Sequence, residues 1–128
     1  MRNAAAVSRW ISRHHDPATT VAVIAAGERW PDGELRPAIE DLWGAGAVVA
    51  GLLAAGWNAP SPEAESARDA YESIRGRERH ALATCASGRE LIDAGFAADV
   101  DVAAEADASD AVPLLADGSF QDASVSAA

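Results

Sequence analysis

Between Thr19 and Ala50 an apolar run, a polar loop and a second apolar stretch follow one another. Val21 to Ala26 is a continuous apolar run, too short for a typical helix and rich in β-branched residues, which predicts a strand buried on both faces. Gly27 ends the run, and a polar loop with Glu28, Arg29, Asp32 and Arg36 follows. Pro37 suits the first position of a helix, where its missing N–H costs nothing. That helix is expected to reach about Ala55, with Glu40 and Asp41 in its first turn and Ile39, Leu42, Trp43, Val49, Leu52 and Leu53 on its apolar side. Gly44, Gly46 and Gly51 each weaken an isolated helix by up to ~1 kcal/mol relative to Ala. Their presence predicts close approach of a neighbouring backbone, with the helix packed tightly on a sheet. A buried strand, a charged loop and a helix start form the usual α/β ligand position, beyond the carboxyl end of a strand.

The flanking segments read as packing around this unit. Asn3 to Arg13 is helical in period, with Val7, Trp10 and Ile11 on one face. His14 and His15 close it, where positive charge meets the helix dipole favourably. Gly56, Asn58 and Pro60 form a break. Ser61 then caps a third helix with Pro62 at its first position and Glu63 and Glu65 in its first turn, running to about Ile74. The arginine-rich stretch Arg75 to His80 is expected to be solvated. Thr84 to Ala94 reads as a fourth helix with Leu91 and Ile92 inward and Gly95 as its stop. Phe96 to Ala106 fits either a short helix or an extended segment. Val112 to Ala116 and Ser119-Phe120 flank an Asp117-Gly118 turn signal, and Asp122 to Ala128 reads as a fraying tail.

At 128 residues the chain is long enough for one small core, and residues 1–121 are expected to form a single α/β domain followed by a flexible tail, 122–128. The net charge of −10 argues against nucleic-acid binding, which needs a basic footprint. All ten basic residues are Arg. The single Cys85 excludes an internal disulfide and fits a reducing cytoplasm. The longest apolar stretch, Ala45 to Trp57, is too short and too glycine-rich to cross a bilayer.

The candidate chemistry centres on carboxylates. Glu40 and Asp41 start a helix beside a strand end, within reach of Glu28 and Asp32. Carboxylates so placed can hold Mg²⁺, which prefers oxygen ligands and keeps waters for a phosphorylated substrate. They can equally stabilise a helix N-terminus, at roughly 0.3–1 kcal/mol each. Arg29 and Arg36 can clamp an anion or pair with the neighbouring acids. Too few residues separate Cys85 from Arg89 for a phosphate-cradling nucleophile loop, so Cys85 reads as a small buried residue. Ser87-Gly88-Arg89 remains a place where a helix start attracts an anion.

The string from Ala25 to Ala47, A-A-G-E-R-W-P-D-G-E-L-R-P-A-I-E-D-L-W-G-A-G-A, resembles the 2-phosphosulfolactate phosphatase (ComB-like) family. Arg2-Asn3-Ala4, Cys85-Ala86-Ser87-Gly88-Arg89-Glu90-Leu91 and Ser109-Asp110-Ala111-Val112-Pro113 resemble it as well. The resemblance implies an α/β fold with a layered sheet flanked by helices. It also implies a Mg²⁺-dependent phosphatase that converts 2-phospho-3-sulfolactate to 3-sulfolactate and phosphate, in coenzyme M biosynthesis. By that resemblance Glu40 and Asp41 are catalytic candidates, Glu28 and Asp41 metal candidates, and Asn3, Gly27, Arg29, Arg36 and Arg89 substrate-binding candidates. The family's upstream Asp-x-Leu-Arg-Ala-Thr-type and Thr-Thr-Asn-Gly segments do not occur here, so the chain resembles the C-terminal part of a larger α/β/α domain. The expected partners are a small anionic phosphorylated substrate and either a second copy of the chain or a missing N-terminal half, with no nucleic acid and no membrane. The alternative to an active enzyme is a non-catalytic remnant or partner subunit.

Overall fold

The computed structural model describes residues 1–125. Six helices and two small antiparallel ribbons make a mixed α/β fold. In chain order these are α1 (Ala4–His14), β1 (Glu28–Arg29), β2 (Leu35–Arg36), α2 (Ile39–Ala54), α3 (Pro62–Ile74), α4 (Glu78–Thr84), α5 (Ala86–Asp93), α6 (Ala97–Ala103), β3 (Pro113–Ala116) and β4 (Ser119–Asp122), with a 3-10 turn at Ala123–Val125. β1 pairs with β2, placing Glu28 opposite Arg36, and β3 pairs with β4, placing Leu115 opposite Phe120.

The organising element is α2, flanked by α1 on one side and α3 on the other. Its glycines explain how closely the neighbours come. A Cβ on Gly46 would overlap the Ala67 carbonyl of α3, and one on Gly51 would lie 2.5 Å from Ser8 Oγ of α1. Ser8 is almost fully buried there. Its hydroxyl meets the Ala4 carbonyl at 2.8 Å and the Val48 carbonyl at 3.1 Å, so the polar group is satisfied where the backbones meet. Gly44 faces open space, contrary to the expectation that all three glycines mark contacts.

Ser61 caps α3 as its sequence predicts, accepting from Ala64 N–H at 3.3 Å, with Pro62 starting the helix. The core joins Trp43 and Ala47 of α2 to Tyr71 and Ile74 of α3, Leu82 of α4 and Val100 of α6. Gly95, at φ +90°, stops α5 as expected. Asp117 and Gly118 both take positive φ in the β3–β4 turn, the backbone a tight hairpin requires.

Several expectations are corrected. Val21 to Ala26 is extended but belongs to no sheet, and Ile24 is 81% exposed, because no described strand lies beside it to complete a ladder. The structure therefore holds two ribbons where a layered sheet was expected. Arg75 to His80 is largely exposed, as expected, but Glu78–Thr84 forms a further helix that the sequence reading did not anticipate, with Leu82 as its apolar anchor to the core. Helix α2 begins at Ile39, two residues after Pro37. The expected fourth helix begins at Ala86, and its Leu91 and Ile92 stay about two-fifths exposed rather than buried, because Gly88 is the residue pressed against Leu82. In α1 the buried positions are Ala4, Ala6 and Ser8, while Val7, Trp10 and Ile11 are only half-buried. Asp122 is not frayed: its Oδ1 accepts from Val112 and Ser124 N–H, both at 2.9 Å. The rest of the predicted tail beyond 125 lies outside the described residues. No described helix is long and apolar enough to cross a membrane.

Gly46→Ala is expected to lower unfolding free energy by about 1–3 kcal/mol through overpacking. Gly44→Ala should raise it by up to ~1 kcal/mol through helix propensity. Urea denaturation of the two variants checks this, and equal effects would contradict the packing described.

Candidate active site

The site forms where the start of α2 meets the start of α5. Glu40 and Asp41 occupy the first turn of α2, where carboxylates meet the positive end of the helix dipole. Asp41 Oδ2 accepts the backbone N–H of Gly27 at 2.6 Å. This bond ties the end of the extended segment to the head of α2, which is why one loop brings a distant glycine to an acid. Gly27 sits at φ +71°, and a Cβ there would lie 2.9 Å from the Arg36 carbonyl oxygen. Only glycine fits both demands without strain.

Cys85 is the N-cap of α5, and its sulfur accepts from Gly88 N–H at 3.4 Å. The sulfur also lies 3.2 Å from the Leu82 carbonyl and 3.8 Å from Glu40 Oε2. Burial, with the Glu40 carboxylate close by, pushes the thiol pKa up. A thiol so held is a poor nucleophile, in keeping with the sequence reading. Glu40, Asp41, Cys85, Ser87 and Gly88 line a cleft of about 230 Å³ whose apolar wall includes Leu82 and Val100. A larger cleft, about 500 Å³, lies at the other end of α2 and has no titratable side chain in its lining; two more, lined by Arg77 and His80, hold a mainly basic set, so the acidic cleft is the one that gathers the candidate carboxylates.

Arg36 is committed to carboxylates. Its guanidinium donates to Glu90 through two nitrogens, at 2.7 and 3.0 Å, lies 3.3 Å from Glu28, and stacks 4.9 Å over Trp30. The Glu90 hydrogen bonds raise the Arg36 pKa further, and Arg36 in turn holds Glu90 below its usual range. This pair fastens the β1–β2 hairpin to α5.

The remaining candidates are spread out. Arg29 donates to the Gly33 carbonyl within its own hairpin at 2.8 Å. Asn3 donates to the Ala111 carbonyl at 3.0 Å, joining α1 to the chain before β3. Arg89 is exposed on α5. The structure thus brings Glu40, Asp41 and Gly27 together and engages Arg36 and Glu28 with each other. The sequence reading missed Glu90, the partner of Arg36; the only signal for it is the general rule that an arginine seeks a carboxylate.

Among the described residues, no three His, Cys, Asp or Glu side chains gather as a metal cage. Mg²⁺ does not require one, since it commonly takes one or two carboxylates and fills its remaining positions with water and substrate phosphate. Glu40 and Asp41, adjacent and lining one cleft, fit that mode. Glu28, paired with Arg36, fits it less well.

The protein is thus a mixed α/β fold with an acidic cleft where two acids at a helix head meet a second helix start. The 2-phosphosulpholactate phosphatase family matches residues 1–118 of the 128-residue chain, and the chain belongs to that family, one of phosphatases. No curated protein and no solved structure matches it.

The Arg36–Glu90 pair gives a pH prediction. Glu90 has a depressed folded-state pKa, so its contribution is present above the unfolded value of about 4.3 and is lost as pH falls through the folded value. Glu90→Gln should therefore be less stable than the wild type at pH 6, with the gap closing towards pH 3. Thermal unfolding at both pH values checks this; a gap that is constant with pH would contradict it.

Proposed function

We propose that the chain hydrolyses a phosphate monoester of a small sulfonated or carboxylated hydroxy acid, with 2-phospho-3-sulfolactate as the substrate and 3-sulfolactate and phosphate as products. The observation that carries this reading is the Glu40–Asp41 head of α2 opening onto a cleft beside the α5 start, in a member of a phosphatase family. The family resemblance further suggests a cytoplasmic enzyme of coenzyme M biosynthesis.

In the reaction a water oxygen forms a bond to phosphorus, the ester P–O bond breaks, and the leaving alkoxide takes up a proton. Asp41 would hold Mg²⁺, which when bound neutralises phosphate charge and lowers the pKa of a coordinated water. Without a cation, two carboxylates would repel the substrate. Glu40 would accept the proton from the attacking water, since Asp41 is engaged by Gly27 N–H. The N–H groups at the start of α5 favour an anion there, and Arg89 on the same helix can add positive charge. Arg36 acts through position, holding the hairpin that carries Gly27 to Asp41.

A second reading, that the chain is a partner subunit with no turnover of its own, is favoured by the unpaired segment from Val21 to Ala26. Phosphate release from 2-phosphosulfolactate, with and without Mg²⁺, separates the two. The enzyme reading predicts Mg²⁺-dependent release that falls at least ~100-fold in Asp41→Asn, in line with loss of a charge-stabilising group. Cys85→Ser should keep most of its activity. No release from the folded wild type would overturn the enzyme reading for the chain alone.

A further inference from the structure

We propose that the extended segment from Thr20 to Ala26 is a docking strand, completed by an apolar β-strand from a partner polypeptide that lies in the trough between this segment and α3. The inference does not rest on the phosphatase reading.

Three observations carry it. First, among the described residues no hydrogen bond is made by any backbone N–H or C=O from Thr20 to Ala26; the neighbouring bonds are Thr19 N–H to Asp16 O and Gly27 N–H to Asp41. A row of free donors and acceptors along an extended chain is a template for another strand. Val21 and Val23 are half-buried while Ala22 and Ile24 are exposed, the alternation of a strand with one face covered.

Second, much of the surface is left uncovered. The chain exposes 8183 Å², whereas a compact monomer of its mass, 13.2 kDa, exposes about 6,400 Å². The excess of about 1,800 Å² is more than the roughly 800 Å² that one partner buries in a standard interface. Part of it lies along the segment, where two clefts, about 500 and 360 Å³, open between it and the α2–α3 pair. Two helices, each about 10 Å across, underlie a single strand, and strands pair about 4.8 Å apart. The layer therefore has room for further strands.

Third, the lining specifies the occupant. Val49, Leu52, Ala64 and Ala67 give it a small apolar floor, and the only charged residue lining either cleft is Glu63. An apolar strand flanked by Lys or Arg complements this surface and the net charge of −10. A second copy of the chain complements this surface less well, since it carries the same net charge of −10. Antiparallel pairing about a twofold axis would put both α2–α3 layers on one face, overlapping beneath strands about 4.8 Å apart.

The probes are two synthetic nonapeptides, Lys-Val-Thr-Val-Ala-Val-Thr-Val-Lys and its counterpart with Glu at both ends, tested on the full chain. Fluorescence polarisation should show the Lys-flanked peptide binding at least 10-fold more tightly. At saturation it should slow amide exchange across residues 20–26 at least 10-fold. Val23→Pro removes a donor from the segment and should abolish binding with helical circular dichroism unchanged. Ala64→Glu, at a half-buried position in the floor of the trough, should weaken binding at least 10-fold without altering the segment itself. Two results would overturn the proposal: neither peptide protects residues 20–26, or those amides are already protected in the free chain in a concentration-dependent way, as in self-association.

Discussion

The structure depends on how closely α2 allows its neighbours to approach. At Gly46 the missing side chain lets the α3 backbone rest against the helix, and at Gly51 it admits Ser8 of α1. Bulkier residues would push the helices apart and empty the space that Trp43 and Tyr71 fill. The core is otherwise poor in large side chains, with alanines at Ala4, Ala45, Ala47 and Ala67. A core of small residues stabilises through short backbone separation and dense contact, so spacing matters more here than side-chain volume.

Fixing α2 also fixes the site. The helix presents Glu40 and Asp41 at its positive end, and Asp41 draws Gly27 onto it. The hairpin after Gly27 is then pinned from the other side by Arg36 on Glu90. Two acids, a glycine N–H and the start of α5 are thus held by bonds that reach 14, 45 and 54 residues along the chain. These are the positions on which the proposed phosphatase chemistry rests, and the geometry shows the bonds that hold them together.

Much of this was legible in the sequence. Ser61-Pro62 announces α3, Gly95 ends α5, and Asp117-Gly118 turns the last hairpin, because each is a local signal that needs no tertiary partner. Gly46 and Gly51 point to close packing, although nothing local distinguishes them from Gly44. The segment from Val21 to Ala26 was misread as doubly buried because its hydrophobicity is real while its covering is not within the described residues. Leu91 and Ile92 were misassigned for a related reason: a short helix shows two possible inward faces, and the contact of Gly88 with Leu82 decides between them. Among the candidate residues, the position of Glu40 and Asp41 at a helix head was legible, because Pro37 and the apolar periodicity mark the helix start locally. The commitment of Arg36 to Glu90 could not be, since it joins residues far apart in sequence.

The most direct measurement is a two-dimensional amide NMR titration of the chain with Mg²⁺ and 2-phosphosulfolactate, added separately and together. The predicted result is that the two together shift Gly27, Glu40, Asp41, Ser87 and Gly88, with smaller changes from either alone. Shifts confined to the large cleft beside Leu53 and Trp57, or none at all, would contradict a phosphate-ester site at the head of α2.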